Sequence, residues 1–145
     1  TAEEIVKQLN AVGRRPDCLV AGIGTSGHIA AIAKRLKEEY GDEVRVVGVQ
    51  PSQGSVIPGI KRVETGPKWL RMGWVDEVVE VGLEEAVRGV MEVARKEGLL
   101  IGLSSGAVYS AYRRMAGRGV YVLVFPDDVF KYLGQLERFV GKGII

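Results

Sequence analysis

The sequence predicts an α/β fold, an open, twisted parallel sheet with helices on both faces. Four short segments are rich in apolar residues and are bounded by glycine, proline or charged residues, as is typical of buried strands. Other segments carry apolar residues at every third or fourth position, which is typical of amphipathic helices. Strands and helices that alternate along the chain form βαβ units, whose strands lie parallel.

The first half of the chain alternates between helix and strand. Thr1 and Glu4 have the spacing of a capping box, and apolar residues then recur at helical spacing up to Val12. An uninterrupted apolar run, an amphipathic segment and a second apolar run follow. The sequence therefore predicts an N-terminal helix, a strand over residues 18–23, a helix over 27–40 and a strand over 44–49.

The second half opens with a polar, glycine-rich segment over residues 50–76, which is too long for an ordinary connection and favours a functional or mobile loop. A strand is predicted over 77–81 and a helix over 83–97, with Gly98 as its C-terminal stop. The remaining predicted elements are a helix over 107–115 and a strand over 120–125.

The composition is that of one soluble globular domain, since 46% of the 145 residues are hydrophobic and 26% are charged. Lys and Arg number 20 against 18 Asp and Glu, without a dense basic block, so no nucleic-acid or membrane partner is expected.

Cys18 is the single cysteine, which fits a reducing, cytoplasmic location. No metal site is predicted. Because Thr1 enters a helix at once, we expect the chain to start inside a longer protein.

The strongest chemical signal is the string AGIGTSGHIA, between the first predicted strand and the next helix. A helix N-terminus presents free backbone N–H groups and the positive end of the helix dipole. Gly24 and Gly27 let the backbone approach an anion closely, and the hydroxyls of Thr25 and Ser26 add donors. This loop is predicted to bind a phosphate; the alternative is a glycine-rich turn with no ligand.

The same string satisfies the G-x-G-x-x-G pattern of dinucleotide-binding domains through Gly22, Gly24 and Gly27. An NAD-type domain normally has an acidic residue at the end of its second strand, which holds the ribose. Here that strand ends with Gly48-Val49-Gln50-Pro51, and no carboxylate stands there. The NAD-type Rossmann domain is therefore the less favoured alternative.

Several separated motifs resemble those of cysteine synthases, and they occur in the same order as in that family. They are GTSGH at 24–28, the loop string VGVQPSQGSVIPGIKRVETG, IGLSSGA at 101–107, FPDD at 125–128 and KYL at 131–133. The loop string resembles the cysteine synthase B and archaeal O-phosphoserine sulfhydrylase branch. The resemblance implies the tryptophan-synthase-β fold, fold type II among pyridoxal-phosphate enzymes, and a homodimer with the cofactor between two domains.

The resemblance also implies roles for individual residues. The phosphate of pyridoxal phosphate would be surrounded by Gly24, Thr25, Ser26, Gly27 and His28. Ser104 would share a hydrogen bond with the pyridine nitrogen, and a neutral hydroxyl there leaves that nitrogen largely unprotonated. From the residues alone, Ser104 could equally be a helix cap ahead of Gly106, a role that Ser105 could also fill.

The sequence departs from the family pattern at three positions, two in the glycine loop and one after FPDD. Ser26 stands where the family often has glycine, and His28 stands where it often has threonine. An imidazole therefore replaces a hydroxyl donor, and His28 could contact the phosphate as a cation or point to solvent. Val129 replaces a glycine found in many relatives.

Lys61 and Arg62 are candidates for binding the substrate. The loop that carries them follows a strand's carboxyl end, and Pro58-Gly59 can turn it toward the ligand side. The resembling branch includes enzymes that use O-phosphoserine, whose phosphate Arg62 could bind with a bidentate fork and Lys61 as a point charge. The alternative is a pair of solvated charges.

Two parts of the family pattern are absent from the sequence. The resemblance implies a Schiff-base lysine in an S-x-K-D-R motif of an N-terminal domain and a T-S-G-N segment for the substrate carboxylate, and neither occurs here. We therefore expect residues 1–145 to be the phosphate-binding α/β domain of a cysteine synthase, inactive alone and without a catalytic residue of its own. Its parent would make cysteine from an activated serine and sulfide. A non-catalytic regulatory or scaffold domain of the same fold is the other alternative.

Overall fold

A computed structural model describes residues 1–24, 28–62, 74–115, 117–139 and 142. None of the helices in these ranges is long and apolar enough to cross a lipid bilayer. The elements are α1 (Ala2–Ala11), β1 (Cys18–Gly22), α2 (His28–Tyr40), β2 (Arg45–Pro51), β3 (Glu77–Val81), α3 (Leu83–Glu97), α4 (Leu103–Met115), β4 (Tyr121–Leu123) and α5 (Leu133–Leu136). Short 3₁₀ turns flank α5 at Val129–Tyr132 and Glu137–Phe139.

The four described strands form one sheet in the order β3-β2-β1-β4, and every neighbouring pair is parallel. Leu19 of β1 lies opposite Val46 of β2 and, on its other side, opposite Val122 of β4. Successive strands therefore run in one direction and end at the same edge. The predicted parallel α/β sheet is confirmed.

Side chains that alternate along β1 enter two separate cores. Leu19 and Ala21 pack with α1 and α2 on one face of the sheet, whereas Cys18 and Val20 pack with α3 and α4 on the other. A strand with both faces buried needs apolar residues at every position, which explains the uninterrupted run in the sequence. The prediction of helices on both faces is confirmed.

Only one half of the capping box that the spacing of Thr1 and Glu4 suggested is present. The Thr1 side chain makes no capping hydrogen bond, but Glu4 Oε1 lies 3.4 Å from the Thr1 nitrogen, which is the group that the glutamate of a capping box binds. The Thr1 carbonyl oxygen accepts the first helical bond from the Ile5 N–H at 3.0 Å. The glutamate half of the motif is therefore present, and the threonine half is not.

The second half of the chain departs from prediction mainly around α4. This helix begins at Leu103, four residues before the predicted start, and β4 covers only residues 121–123 of the predicted 120–125. The two 3₁₀ turns and α5 were not predicted. In contrast, α3 begins and ends at the predicted residues, and Gly98 caps it in the left-handed conformation with φ 68°.

Candidate cofactor site

A pocket of about 110 Å³ lies at the carboxyl ends of β1 and β4, where ligands bind in open parallel sheets. Its walls come from the end of β1, the start of α2, the loop after β2, the first turns of α4 and the segment after β4. The lining residues are Ala21, Gly22, Gly24, His28, Gly59, Ile60, Ser104, Val108, Val124 and Pro126. Residues of both motifs that the sequence singled out thus line the pocket, namely Gly24 and His28 of GTSGH and Ser104 of IGLSSGA.

Ser104 stands in the first turn of α4 and is 2% exposed. Its Oγ has no hydrogen-bond partner within the described residues. The interpretation of Ser104 as a helix cap is wrong, and so is that of Ser105, because the helix already begins at Leu103 and both serines lie inside it. A buried hydroxyl without a partner costs about 1–3 kcal/mol, so this one is suited to a ligand atom that it can hydrogen-bond.

Three glycines let the loop after β2 close over the end of β1. A side chain at Gly22 would overlap the side chain of Ile60, and one at Gly24 would come within 3.2 Å of the Gly59 carbonyl oxygen. Gly59 itself has φ +92°, and a Cβ there would lie 3.4 Å from Ser104 Oγ. The close approach of this loop to Ser104 therefore requires glycine at residue 59, whose only sequence signal was the Pro58-Gly59 turn.

The predicted phosphate loop is described at its two ends. Gly24 follows β1 and His28 begins α2, and both line the pocket, whereas Thr25, Ser26 and Gly27 lie outside the described residues. The His28 side chain is exposed. The first turn of α2 carries no acidic side chain that would neutralise the positive end of the helix dipole. The N-terminal end of α2, which carries the partial positive charge of the helix dipole, therefore borders the pocket.

Lys61 and Arg62 lie on the far side of Ile60 from Ser104. Lys61 and Arg62 line a neighbouring open pocket and do not line the pocket of Ser104. Ile60 lies between the two pockets and lines both. The Lys61 N–H donates to the Ile23 carbonyl oxygen at 2.6 Å, and its side chain is exposed. The structure thus brings Gly24, His28 and Ser104 together and leaves the basic pair beside them.

Arg62 connects the loop to the edge of the sheet. Its Nη1 donates to the Pro51 carbonyl oxygen at 2.9 Å, and its Nη2 pairs with Glu80 Oε1 at 2.8 Å. The same Glu80 oxygen accepts a hydrogen bond from Gln50 Nε2 at 3.0 Å. The guanidinium therefore holds the ends of β2 and β3 together, a role that no sequence pattern indicated.

The model of the family described as pyridoxal-phosphate-dependent enzyme matches residues 1–127. Cysteine synthase B of Pseudomonas aeruginosa is 37% identical over 121 residues, which cover 80% of this chain and 40% of that protein. Cysteine synthase of Staphylococcus aureus is 32% identical, with 92% of this chain and 46% of that protein covered. The chain thus spans less than half the length of these relatives.

The solved structure of O-acetylserine sulfhydrylase isoform 3 from Entamoeba histolytica superposes with a TM-score of 0.79 at 26% identity. The match covers 94% of this chain and 44% of that one. The resemblance to cysteine synthases and to their fold is confirmed, and nothing in these findings supports the NAD-type alternative. Because the family model matches most of the chain, this protein belongs to the family of pyridoxal-phosphate-dependent enzymes.

Proposed function

We propose that this chain is the phosphate-binding α/β domain of a pyridoxal-phosphate-dependent enzyme that makes L-cysteine from an activated serine and sulfide. The observation that carries the proposal is the Oγ of Ser104, which is buried beside a pocket at the carboxyl edge of the sheet and has no hydrogen-bond partner in the part of the chain that the structure describes. The names of the relatives, cysteine synthase and O-acetylserine sulfhydrylase, support this reaction.

The residues at the pocket fit the two ends of pyridoxal phosphate. The phosphate would lie at the N-terminus of α2, where backbone N–H groups and the helix dipole favour an anion. The residues that would hold it there are Gly24, Thr25, Ser26, Gly27 and His28. Ser104 would hydrogen-bond the ring nitrogen with its neutral hydroxyl. When bound, the cofactor supplies an electron-withdrawing ring that stabilises negative charge at the substrate's α-carbon. This chain's residues orient the ring and exclude water from one side of it.

The complete enzyme requires parts that this sequence does not contain. We propose that a second, N-terminal domain supplies the Schiff-base lysine, that the 145-residue chain is inactive alone, and that the parent is a cytoplasmic homodimer. The less favoured alternative is a non-catalytic domain of the same fold. Sequencing the complete gene product separates the two, because an enzyme must contain an S-x-K-D-R-like lysine motif upstream of Thr1.

Replacing Ser104 with alanine tests the cofactor site directly. The loss of one neutral hydrogen bond of about 0.5–1.5 kcal/mol should weaken pyridoxal phosphate binding roughly 2- to 12-fold. Binding is measured by titrating the chain with pyridoxal phosphate and following absorbance or fluorescence. Ser105→Ala is the matched control, since Ser105 Oγ is also buried and unpartnered in the same helical turn but Ser105 does not line the pocket.

Both serine substitutions should leave the free energy of unfolding equal or slightly higher, because each removes a buried hydroxyl without a partner. A change in affinity at residue 104 alone is therefore an effect on the ligand and not on folding. Equal dissociation constants for wild type and Ser104→Ala would contradict the assignment of Ser104 to the ring nitrogen.

We further propose that Lys61 and Arg62 select the leaving group of the activated serine. In the full-length enzyme, Lys61→Ala should lower kcat/KM for O-phosphoserine by roughly 10- to 100-fold, because a charged hydrogen bond contributes about 1.5–3 kcal/mol. The value for O-acetylserine, whose leaving group is neutral, should change much less. The measurement is kcat/KM for both substrates in parallel.

Arg62→Ala separates substrate binding from support of the loop. An Arg62 that binds the substrate phosphate costs activity with O-phosphoserine selectively, whereas one that only holds Pro51 and Glu80 costs both substrates equally. Glu80→Gln is the control, because it weakens the loop contact without removing a cation. Equal losses on both substrates for Lys61→Ala as well would contradict a phosphate-selecting role for the pair.

A further inference from the structure

The segment just before α4 is paired with the segment that follows β4. The Gly102 N–H donates to the Asp127 carbonyl oxygen at 3.1 Å, and the Val129 N–H donates to the Leu100 carbonyl oxygen at 3.1 Å. Between these bonds, Ile101 and Asp128 form an antiparallel bridge. Gly102 directly precedes the turn of α4 that carries Ser104, and Pro126, just before Asp127, lines the pocket. This pairing therefore fixes two walls of the pocket relative to each other.

The side chains of Asp127 and Tyr132 close over Gly102. The Tyr132 hydroxyl donates to Asp127 Oδ2, while Asp127 Oδ1 is buried and has no hydrogen-bond partner within the described residues. A Cβ at residue 102 would overlap Oδ1 and would lie 2.9 Å from Tyr132 Cε2. Only glycine leaves room for this arrangement. Burial, followed by the hydrogen bond to Asp127, raises the pKa of Tyr132 to about 12, so the hydroxyl keeps its proton near neutral pH.

We infer that Asp127 and Tyr132 are positioning residues for Ser104, holding the first turn of α4 so that the Ser104 hydroxyl faces the cofactor's ring nitrogen. The inference rests on the proposed function of Ser104. A carboxylate at the start of a helix is favoured by the positive end of the dipole, so Asp127 stabilises that first turn. The Tyr132 hydrogen bond fixes the rotamer of Asp127, and with it the carboxylate above Gly102. The pair acts through Ser104 and makes no contact with the cofactor of its own.

A double-mutant cycle tests this coupling in the 145-residue chain. The variants are Ser104→Ala, Tyr132→Phe and the double variant, and the probes are pyridoxal phosphate and inorganic phosphate. Tyr132→Phe keeps the ring and removes only the hydroxyl, and it should weaken pyridoxal phosphate binding roughly threefold while phosphate binding stays unchanged. In the Ser104→Ala background the same substitution should have no further effect, since the group that it positions is gone.

Tyr40→Phe is the matched control, because the Tyr40 hydroxyl also donates to a side chain, Asn10 Oδ1 at 2.9 Å, but lies against the opposite core. It should leave both affinities unchanged. Additive losses in the double variant would overturn the inference, as would unchanged pyridoxal phosphate binding in Tyr132→Phe. If Tyr132→Phe fails to fold, Asp127→Asn keeps the shape of the side chain, removes the carboxylate and is held to the same outcomes.

A second readout separates the two proposals from each other. Without any cofactor, Tyr132→Phe should shift the amide NMR signals of Leu103, Ser104 and Ser105, whereas Tyr40→Phe should not. Shifted amides together with an unaffected affinity in Ser104→Ala would contradict the proposed role of Ser104 and leave the structural coupling intact. Unshifted amides would contradict the positioning role, whatever Ser104→Ala does.

Discussion

Replacing Gly89 with alanine should destabilise the protein by about 3 kcal/mol, because α3 and α4 pack with their backbones in contact at this point. A Cβ at residue 89 would overlap the Gly106 carbonyl oxygen and would lie 2.6 Å from Ser110 Oγ. The reciprocal position is equally closed, since a Cβ at Gly106 would overlap the Ala86 carbonyl oxygen. Backbone atoms of a helix cannot rotate away as side chains can. The measurement is the midpoint and slope of urea unfolding.

Gly134→Ala is the control for this prediction. Gly134 lies in α5, and nothing stands within 4 Å of the position that its Cβ would take. Alanine is favoured over glycine in a helix by up to about 1 kcal/mol, so this substitution should be neutral or stabilising. The same chemical change is thus expected to have opposite signs at the two positions. A loss at Gly89 no larger than that at Gly134 would mean that the two helices do not touch there.

The close packing of α3 on α4 also explains why the sequence predicted the ends of α3 correctly but the start of α4 too late. Periodicity predicted α3 with both of its ends, because its apolar stripe and its terminal glycine are local signals. The start of α4 is instead a run of serine and glycine that lacks an apolar stripe, so the prediction began the helix four residues late. Residue 106 must be glycine because the backbone of α3 lies against it, and no local pattern contains that information.

In the candidate site as well, residues that belong to a sequence motif were predicted, and residues placed there by long-range contacts were not. The glycine loop was found from its place between β1 and α2, where ligands bind in open parallel sheets. Ser104 was found only through the resemblance of IGLSSGA to the family motif, because its segment follows α3 and not a strand. Ile60 and Pro126 were missed, because a pocket wall made by an apolar side chain has no signature in sequence. The orientation of Arg62 depends on Glu80, which the fold brings to it from β3. Direction of a side chain toward or away from a pocket is set by such long-range partners.

Truncating Ile23 should produce a second large loss of stability, at the junction between the sheet and the proposed phosphate loop. Ile23 follows β1, is 0% exposed and lies over Gly48, where a Cβ would come within 2.8 Å of its Cδ1. Its backbone is held on both sides, since its N–H donates to the Val49 carbonyl oxygen at 2.8 Å and its carbonyl oxygen accepts from the Lys61 N–H. A backbone held in this way cannot collapse into a cavity.

Ile23→Ala should therefore cost about 2–5 kcal/mol of unfolding free energy, and Ile23→Val about 0.5–1.5 kcal/mol. Val78→Ala on β3 is the control, because Val78 is largely exposed and a surface strand position should lose less than about 1 kcal/mol. Equal losses at residues 23 and 78 would show that the site relaxes after all. Because both main-chain hydrogen bonds of Ile23 survive either substitution, Gly24 should keep its place in the pocket. The affinity for phosphate should then fall much less than the free energy of unfolding does. If affinity and stability fell in parallel, the side chain of Ile23, and not its backbone, would hold the proposed phosphate loop in place.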